Sequence, residues 1–261
     1  MKDLTQQLQT FIIRHSLIPT ADLPVIVGLS GGADSVALLH LLVSLQYRCI
    51  PAHCNFRLRG DESDRDEQFS VEVAKSMGLV AETIHFDTTT YAQEHKLSIE
   101  MAARELRYNW FEQLRQKYGA GAIAVGHHLG DSIETVLLNL IRGTGLKGLT
   151  GIKIKNGFVI RPLLEITKEE ITEYLSSCSL SYITDSSNLT NDYTRNKIRN
   201  QLIPVMQSIN PSLYASFTNT LHHLNESYSY QQHSLESLKS ELLHQRGDNT
   251  VLSIPAIQQV N

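Results

Sequence analysis

Cysteine is scarce in this chain: its 261 residues include three cysteines, and no two of them form a Cys-x-x-Cys pair. So few cysteines exclude a disulfide scaffold and give no sign of a cysteine-built metal or redox site. Free cysteine usually packs as a small hydrophobic residue. We therefore predict that Cys49, Cys54 and Cys178 are buried structural thiols.

Long apolar runs and a basic excess are also missing. No stretch approaches the length of a transmembrane helix, and the N-terminus lacks the basic and apolar regions of a secretory signal. These absences predict a soluble, cytoplasmic protein with no membrane partner. The net charge of −4 argues against coating nucleic acid through bulk electrostatics, although it leaves room for a local basic face.

A glycine-rich loop follows the first predicted strand. It lacks the Gly-x-Gly-x-x-Gly spacing of dinucleotide-binding loops, and no lysine follows its glycines as in a Walker A loop. The loop joins an apolar, β-branched run to a helical pattern, so free N–H groups and the helix dipole would favour an anion there. The residues that we predict to hold phosphate are Ser30, Gly31, Gly32, Ala33, Asp34 and Ser35.

Asp34 is unusual in such a loop. A carboxylate beside phosphate is repelled unless a divalent cation bridges the two groups, so its presence predicts magnesium chemistry. The alternative interpretation is an ordinary glycine turn in which Asp34 or Ser35 caps the helix that follows.

Strand and helix patterns alternate through most of the chain. This order predicts an α/β fold with a doubly wound parallel sheet, in which ligands bind at the carboxyl ends of the strands. After residues 203–212 the composition indicates a small C-terminal helical lobe. We predict strands over 23–29, 48–54, 81–86 and 122–126, and helices over 35–45, 62–77, 99–118 and 133–142.

Local signals support several of these boundaries. Ser98 can cap the helix that follows it, and Gly119 stands where a helix C-cap is expected. Thr167 and Glu170 have the spacing of a capping box that opens a further helix. Asn156-Gly157 predicts a type I′ hairpin.

A second polar cluster lies at the end of the last predicted parallel strand. If the helix begins near Gly130, Asp131 and Glu134 share a face that looks towards Asp34. Carboxylates on both sides of a nucleotide could hold magnesium against its phosphates. The alternatives are that Asp131 is merely a first-turn acid favoured by the helix dipole, or that His127 and His128 belong to a zinc site, although no His-Glu-x-x-His motif is present.

A third cluster joins a polar loop, which includes Asp185, to a basic helix. Arg195 and Arg199 are four residues apart, so they share a helix face and could clamp the phosphates of ATP or of a polynucleotide. The alternative is a solvated surface.

These motifs together resemble the tRNA(Ile)-lysidine synthetases, a family of N-type ATP pyrophosphatases in the PP-loop superfamily. The resemblance covers residues 20–205 and implies a fold like that of the adenine nucleotide α-hydrolases. The motifs that carry it, in chain order, are Ser30 to Ser35, Asn55 to Asp64, Ala103 to Tyr108, His127 to Thr135, Arg142 to Leu146, Arg161 to Leu164 and Asp185 to Arg199.

The resemblance implies an ATP-dependent ligation. Members of the family adenylate C2 of the wobble cytidine in a CAU-anticodon tRNA(Ile), and L-lysine then displaces AMP to give lysidine. The resemblance also implies roles for individual residues. The triphosphate would be held by Ser30, Gly31, Gly32, Asp34 and Ser35, and Mg²⁺ by Asp34 and Asp131, while the adenosine would lie beside His53 and Asn55. The amine proton would be accepted by His127, Asp131 or Glu134, and the lysine carboxylate or phosphate would be bound by Arg104, Arg107, Arg195 or Arg199.

The chain departs from the family pattern in two places. Gly130-Asp131 stands where members often have Asp-Asp, which leaves the number of metal ions open, and Phe56-Arg57 replaces a commoner His-Gly. We predict a catalytic domain over 1–205 and a helical lobe over 206–261. The lobe is short, so the chain is either a compact member or a truncated one, and its oligomeric state stays open, a homodimer included.

Two other function classes remain. One is a different PP-loop enzyme, such as a tRNA thiolase acting on cytidine or uridine, which would commonly need cysteines at its site. Amide-forming relatives would leave the block from Asp185 to Arg199 unexplained. The other class is a module that binds nucleotide or tRNA without catalysis.

Overall fold

The computed structural model of the protein describes residues 3–20, 22–184, 194–246 and 249–252. Within these ranges the strands are β1 (Val25–Gly28), β2 (Cys49–Asn55), β3 (Glu82–His85), β4 (Ala122–Ala124), β5 (Lys155–Asn156), β6 (Val159–Ile160), β7 (Leu243–Arg246) and β8 (Asn249–Leu252). The helices are α1 (Leu4–Arg14), α2 (Ala33–Ser44), α3 (Asp61–Ser76), α4 (Thr88–Glu94), α5 (Ile99–Tyr118), α6 (Leu129–Arg142), α7 (Leu146–Leu149), α8 (Lys168–Ser177), α9 (Thr194–Lys197), α10 (Ile203–Ile209) and α11 (Leu213–Leu242). A π-helical segment over Ile198–Leu202 joins α9 to α10.

One sheet organises the structure, with strand order β3-β2-β1-β4-β6-β5. Its strands pair in parallel except at the edge, where β5 pairs antiparallel with β6. The chain runs outward from β1 to β3 and then returns to place β4 on the other side of β1. A crevice opens at the carboxyl ends of the strands where the order reverses, here between β1 and β4. The predicted doubly wound parallel sheet is confirmed.

Apolar side chains cover both faces of the sheet. Along β1, Val27 belongs to the apolar cluster that contains Leu39 of α2, whereas Ile26 belongs to the cluster that contains Phe111 of α5. Fully burying a side chain of this size contributes about 1.5–3 kcal/mol. A strand buried on both faces has no polar side to alternate with, which explains the continuous apolar run in the sequence.

Capping residues set the helix boundaries that the sequence predicted. The Ser98 side chain accepts a hydrogen bond from the Met101 N–H at 3.2 Å, and Gly119 ends α5 in the left-handed region at φ +60°. Thr167 and Glu170 form the expected capping box at the start of α8. Helices α5 and α8 are therefore confirmed at these ends.

Two local predictions were wrong. The residues in the hairpin turn are Gly157 and Phe158, since Asn156 pairs with Val159. A type I′ turn needs positive φ at both turn residues, and of these two only Gly157, at +59°, has it. Helix α6 begins four residues before Ile133, because His128 and Asp131 form a capping box that starts it earlier.

The C-terminal segments pack against α6. Ile133 and Leu137 of that helix share an apolar cluster with Ile203 and Leu213 of the helices that follow. The helical character is as predicted, while the β7–β8 hairpin was not expected from the sequence. The proposed division between residues 205 and 206 falls inside α10 and stays a prediction. Within the described ranges, no helix is both long and apolar enough to span a membrane.

Candidate active site

The glycine-rich loop connects β1 to α2 and is fixed by its two serines. The Ser35 hydroxyl accepts from the Ser30 N–H at 3.1 Å and donates to the Gly32 carbonyl at 2.9 Å. Gly31 adopts φ +83°, a conformation that other residues reach only with strain. The Gly31 carbonyl in turn accepts from the Ile183 N–H at 2.9 Å, so the chain beyond α8 braces the loop.

The start of α2 is open to an anion. Among the described residues, no side chain caps this helix, whose N-cap is Gly32. The first N–H groups of a helix have no acceptor within the helix, so those of Ala33, Asp34 and Ser35 need an external partner. Together with the helix dipole they fit a phosphate group. The ordinary-turn interpretation required Asp34 or Ser35 to be the N-cap, and neither residue is.

A cavity of about 280 Å³ lies beside this helix start. It occupies the crevice between the ends of β1 and β4, where a doubly wound sheet binds its ligands. Its lining residues are Gly28, Leu29, Ser30, Gly32, Asp34, Ser35, Ala52, Cys54, Phe56, Arg107, Tyr108, Phe111, Val125, Gly126 and His127.

The chain after β4 passes very close to the first turn of α2. A Cβ atom on Gly126 would lie 3.0 Å from the Asp34 carbonyl carbon and 3.1 Å from the Ser35 nitrogen. Only glycine permits this approach without displacement, and it brings the next residue, His127, to the cavity wall.

His127 is held neutral. Its pKa is lowered to about 4, chiefly by burial; the charge of Asp131 opposes the shift, and the charges of Arg161, Arg104 and Arg107 add to it. Its Nδ1 atom is buried without a hydrogen-bond partner among the described residues. A neutral imidazole can donate or accept a hydrogen bond at the cavity wall, although so low a pKa makes it a weak base at neutral pH.

Asp131 and Glu134 share a face of α6, as their spacing predicted. The Asp131 carboxylate accepts from the His128 N–H at 2.9 Å. Burial tends to raise the pKa of Asp131, but the charge and backbone hydrogen bond of His128 outweigh it and the net pKa is lowered. The Glu134 side chain is 2% exposed and pairs with Arg199, whose Nε lies 2.5 Å from Oε1. His128 is the N-cap of α6, because its side chain accepts a hydrogen bond from the Gly130 N–H.

Arg195 and Arg199 converge on the acids of α6. The Arg199 Nη2 donates to Glu134 Oε2 at 2.9 Å and lies 3.5 Å from Asp131 Oδ1. Arg195 donates to the Thr135 hydroxyl at 2.9 Å, and its Nε lies 3.5 Å from Glu134. The pair that we expected to clamp phosphate contacts carboxylates in this structure. The preceding polar loop, Asp185 to Tyr193, lies outside the described residues.

Arg104 and Arg107 approach the site from α5. Arg107 lines the cavity, and its guanidinium carbon lies 5.2 Å from the centre of the Phe56 ring. Arg104 lies over Tyr108 at 4.9 Å. Both contacts are cation–π interactions that hold the guanidinium groups in place.

The structure does not bring His53 and Asn55 to the cavity. His53 Nδ1 contacts the Leu29 carbonyl at 2.8 Å, and the Asn55 amide donates to Asp64 and Glu67, each at 2.9 Å. Side chains alternate along a strand, so the β2 residues that line the cavity are Ala52 and Cys54, and Phe56 follows them.

Sequence reasoning missed several residues at the site. Lys168 Nζ lies 2.6 Å from Asp34 Oδ1, yet its only signal in the sequence was its place in the capping box. Arg161 is 6% exposed, with its Nε atom unpartnered among the described residues.

The cysteine prediction was correct for Cys49 but wrong for Cys178, which is exposed at the end of α8. Cys54 lines the cavity, where burial raises its pKa to about 12.

The predicted magnesium ligands fit an ion that arrives with a nucleotide. Among the described residues, no group of three or more His, Cys, Asp or Glu could hold a metal by itself. Mg²⁺ commonly binds one or two carboxylates together with substrate phosphates. Asp34 beside the open α2 start and Asp131 on α6 supply such carboxylates, and Arg199 experiences the charge of both.

Comparison with known proteins finds curated relatives that are similar in sequence and solved structures that are similar in fold. The chain is 49% identical over 236 residues to a tRNA(Ile)-lysidine synthase of Parabacteroides distasonis, covering 90% of this chain and 54% of that protein. It is 50% identical over 233 residues to that of Bacteroides thetaiotaomicron, covering 89% and 54%. The chain therefore spans about half the length of the curated relatives it matches.

The similar solved structures support the fold. The U34-tRNA thiolase NcsA of Methanococcus maripaludis, solved with its [4Fe-4S] cluster, has a TM-score of 0.70 at 19% identity, covering 86% of this chain and 78% of that one. A family model described as a PP-loop domain matches residues 2–206. This match includes the β1–α2 loop, the open start of α2 and the crevice beside it, and the chain belongs to the PP-loop family.

Proposed function

We propose that the chain catalyses the ATP-dependent ligation of L-lysine to C2 of the wobble cytidine of CAU-anticodon tRNA(Ile), giving lysidine, AMP and pyrophosphate. The curated relatives named tRNA(Ile)-lysidine synthase support this substrate assignment. The observation that carries the proposal is the open anion site at the start of α2, next to a cavity flanked by Asp34 and His127.

The first step uses the glycine-rich loop. The N–H groups at the start of α2 hold the phosphates while the cytidine C2 oxygen attacks the α-phosphorus and pyrophosphate leaves with the bridging oxygen. Neutral cytosine oxygen is a poor leaving group, so this activation is what ATP contributes. A Mg²⁺ ion held by Asp34 and Asp131 would offset the charge that develops on the phosphates.

The second step requires a neutral lysine amine at C2. The candidate acceptors of its proton are His127 and the acids of α6, Asp131 and Glu134. The pKa values of His127 and Asp131 are both lowered, so both groups are deprotonated and able to accept a proton at neutral pH. Arg104 and Arg107 are suited to the α-carboxylate of lysine or to phosphate, because their guanidinium groups contact aromatic rings and pair with no acid among the described residues. AMP then leaves C2 with its electron pair, and lysidine remains in the tRNA.

The experiment supplies ATP, Mg²⁺, radiolabelled lysine and unmodified CAU-anticodon tRNA to the folded chain. We expect label in the tRNA, with release of AMP and pyrophosphate. A parallel reaction with a sulfur donor in place of lysine tests the thiolase alternative, for which Cys54 is the single cysteine in the cavity. ATP binding without pyrophosphate release in either reaction would indicate a binding module and refute the proposal.

Asp34→Ala tests the catalytic part directly. We expect loss of lysine transfer with a change in unfolding free energy of about 1 kcal/mol or less, because the Asp34–Lys168 pair is partly exposed. Activity assays and urea unfolding of the same preparation provide the measurement. A collapsed unfolding transition would instead assign Asp34 a structural role.

A further inference from the structure

Lys168 occupies a place where three helix starts meet. It is the first residue of α8, and its ammonium contacts Asp34 in the first turn of α2 at 2.6 Å. The Leu129 N–H at the start of α6 donates to the Ile166 carbonyl, two residues before Lys168, at 3.0 Å. The starts of three helices, which are the positive ends of their dipoles, therefore lie near one another, and this favours negative charge beside them.

The position of α8 against the loop is fixed at both ends. The capping box at Thr167 and Glu170 sets where the helix begins. Beyond its other end, Ile183 donates to the Gly31 carbonyl at 2.9 Å. With the backbone held in this way, Lys168 can change its contact only through its own flexible stem of four carbons.

The ion pair with Asp34 conflicts with the proposed role of that carboxylate. If Asp34 is to bind a metal ion, the ammonium that now neutralises it must find another anion. The N–H groups at the open start of α2 belong to the same helical turn as Asp34. A phosphate chain bound to them would lie beside Asp34, whose carboxylate the Lys168 ammonium contacts at 2.6 Å, so the flexible lysine side chain could turn to it.

We propose that Lys168 binds the β- and γ-phosphates of ATP and stays with pyrophosphate as it leaves. In the free chain Lys168 neutralises Asp34, and in the complex its ammonium turns to the phosphates. It keeps its proton throughout: the bond between the α-phosphorus and the bridging oxygen breaks, that oxygen keeps the electron pair, and the ammonium offsets the new charge. The inference rests on the proposed function and adds a pyrophosphate-binding residue to it.

The test compares ligands that differ in their β- and γ-phosphates. Calorimetric titration measures binding of α,β-methylene ATP with Mg²⁺, and of AMP, to the full chain and its variants. We expect Lys168→Gln to weaken binding of the ATP analogue about 10- to 100-fold, as for a lost charge-assisted hydrogen bond. Binding of AMP, which lacks both phosphates, should be unchanged. Lys168→Arg keeps the positive charge and should retain most of the affinity.

Lys75→Gln is the matched control. It removes the same charge from an exposed position in the last turn of α3, the end of that helix remote from the carboxyl ends of the strands, and should bind both ligands as the wild type does. The inference fails if Lys168→Gln binds the ATP analogue with wild-type affinity, or if the substitution weakens binding of AMP as much as binding of the analogue. Lys168 would then be a structural partner of Asp34.

These binding measurements need neither tRNA nor lysine. A wild-type chain that transfers no lysine but shows the Lys168-dependent preference for the ATP analogue would refute the proposed function and leave this inference standing. A wild-type chain that transfers lysine, with no such preference, would refute the inference alone. Failure of the wild type to bind the analogue would refute both.

Discussion

Gly126 provides a direct test of how the sheet shapes the cavity. A methyl group on this residue would lie 3.0 Å from the Asp34 carbonyl carbon, 3.1 Å from the Asp34 oxygen and 3.1 Å from the Ser35 nitrogen. All three atoms belong to the backbone of α2, so they cannot rotate aside as a flexible side chain could. Gly126 has no positive φ, so the effect of Gly126→Ala would be purely steric.

The size of the effect follows from these distances. Non-bonded carbon atoms prefer to be about 3.5–4.0 Å apart, so the start of α2 or the end of β4 would have to move by about 0.5 Å or more. Overpacking of this kind costs about 1–3 kcal/mol. The displaced atoms belong to the turn whose N–H groups face the cavity, so the affinity for ATP should fall as well.

Urea unfolding and ATP titration of three proteins check this reasoning. The matched control is Gly145→Ala, where an added methyl meets nothing within 4 Å and φ is −84°. We expect the control to remain within about 1 kcal/mol of the wild type. If Gly126→Ala matches the control in both unfolding free energy and ATP affinity, the close approach of β4 to α2 is wrong.

Two further predictions concern charge at the site. Because the pKa of His127 is lowered from 6.5 to about 4, the unfolded chain binds one more proton than the folded chain between these pH values. The free energy of unfolding should therefore be highest above about pH 6.5 and fall by up to about 3 kcal/mol towards pH 4. His127→Gln should lose this part of the pH dependence in urea unfolding, and identical profiles would contradict the shift. Arg199→Ala should cost about 3 kcal/mol, because it leaves the buried Glu134 carboxylate without its bidentate partner. Adding Glu134→Gln should recover much of that loss in a double-mutant cycle, whereas additive losses would show that the pair is not coupled.

Local signals in the sequence were sufficient for much of the fold. The bounds of α5 could be predicted because a capping serine and a left-handed glycine act within one turn of the helix ends. The hairpin register could not, because Asn156-Gly157 and Gly157-Phe158 both offer a glycine, and the structure has the second pair in the turn. The predicted span 133–142 began too late for α6 because histidine is an unusual N-cap, whereas the start near Gly130 that we also considered lies one residue from the observed Leu129.

For the candidate site, too, some features could be predicted from the sequence and others depended on the tertiary structure. The sequence by itself determined the glycine-rich loop before α2 and the shared face of the two acids on α6, because the residues of each set are close along the chain. Only the tertiary structure decided which side chains face the cavity, since a shift of one residue along β2 exchanges His53 for Cys54. It also decided that Lys168 meets Asp34, a contact between residues 134 positions apart that depends on how α8 packs against α2. Spacing along a chain encodes neighbours within a helix or strand, whereas contacts between elements depend on the packing of the whole fold.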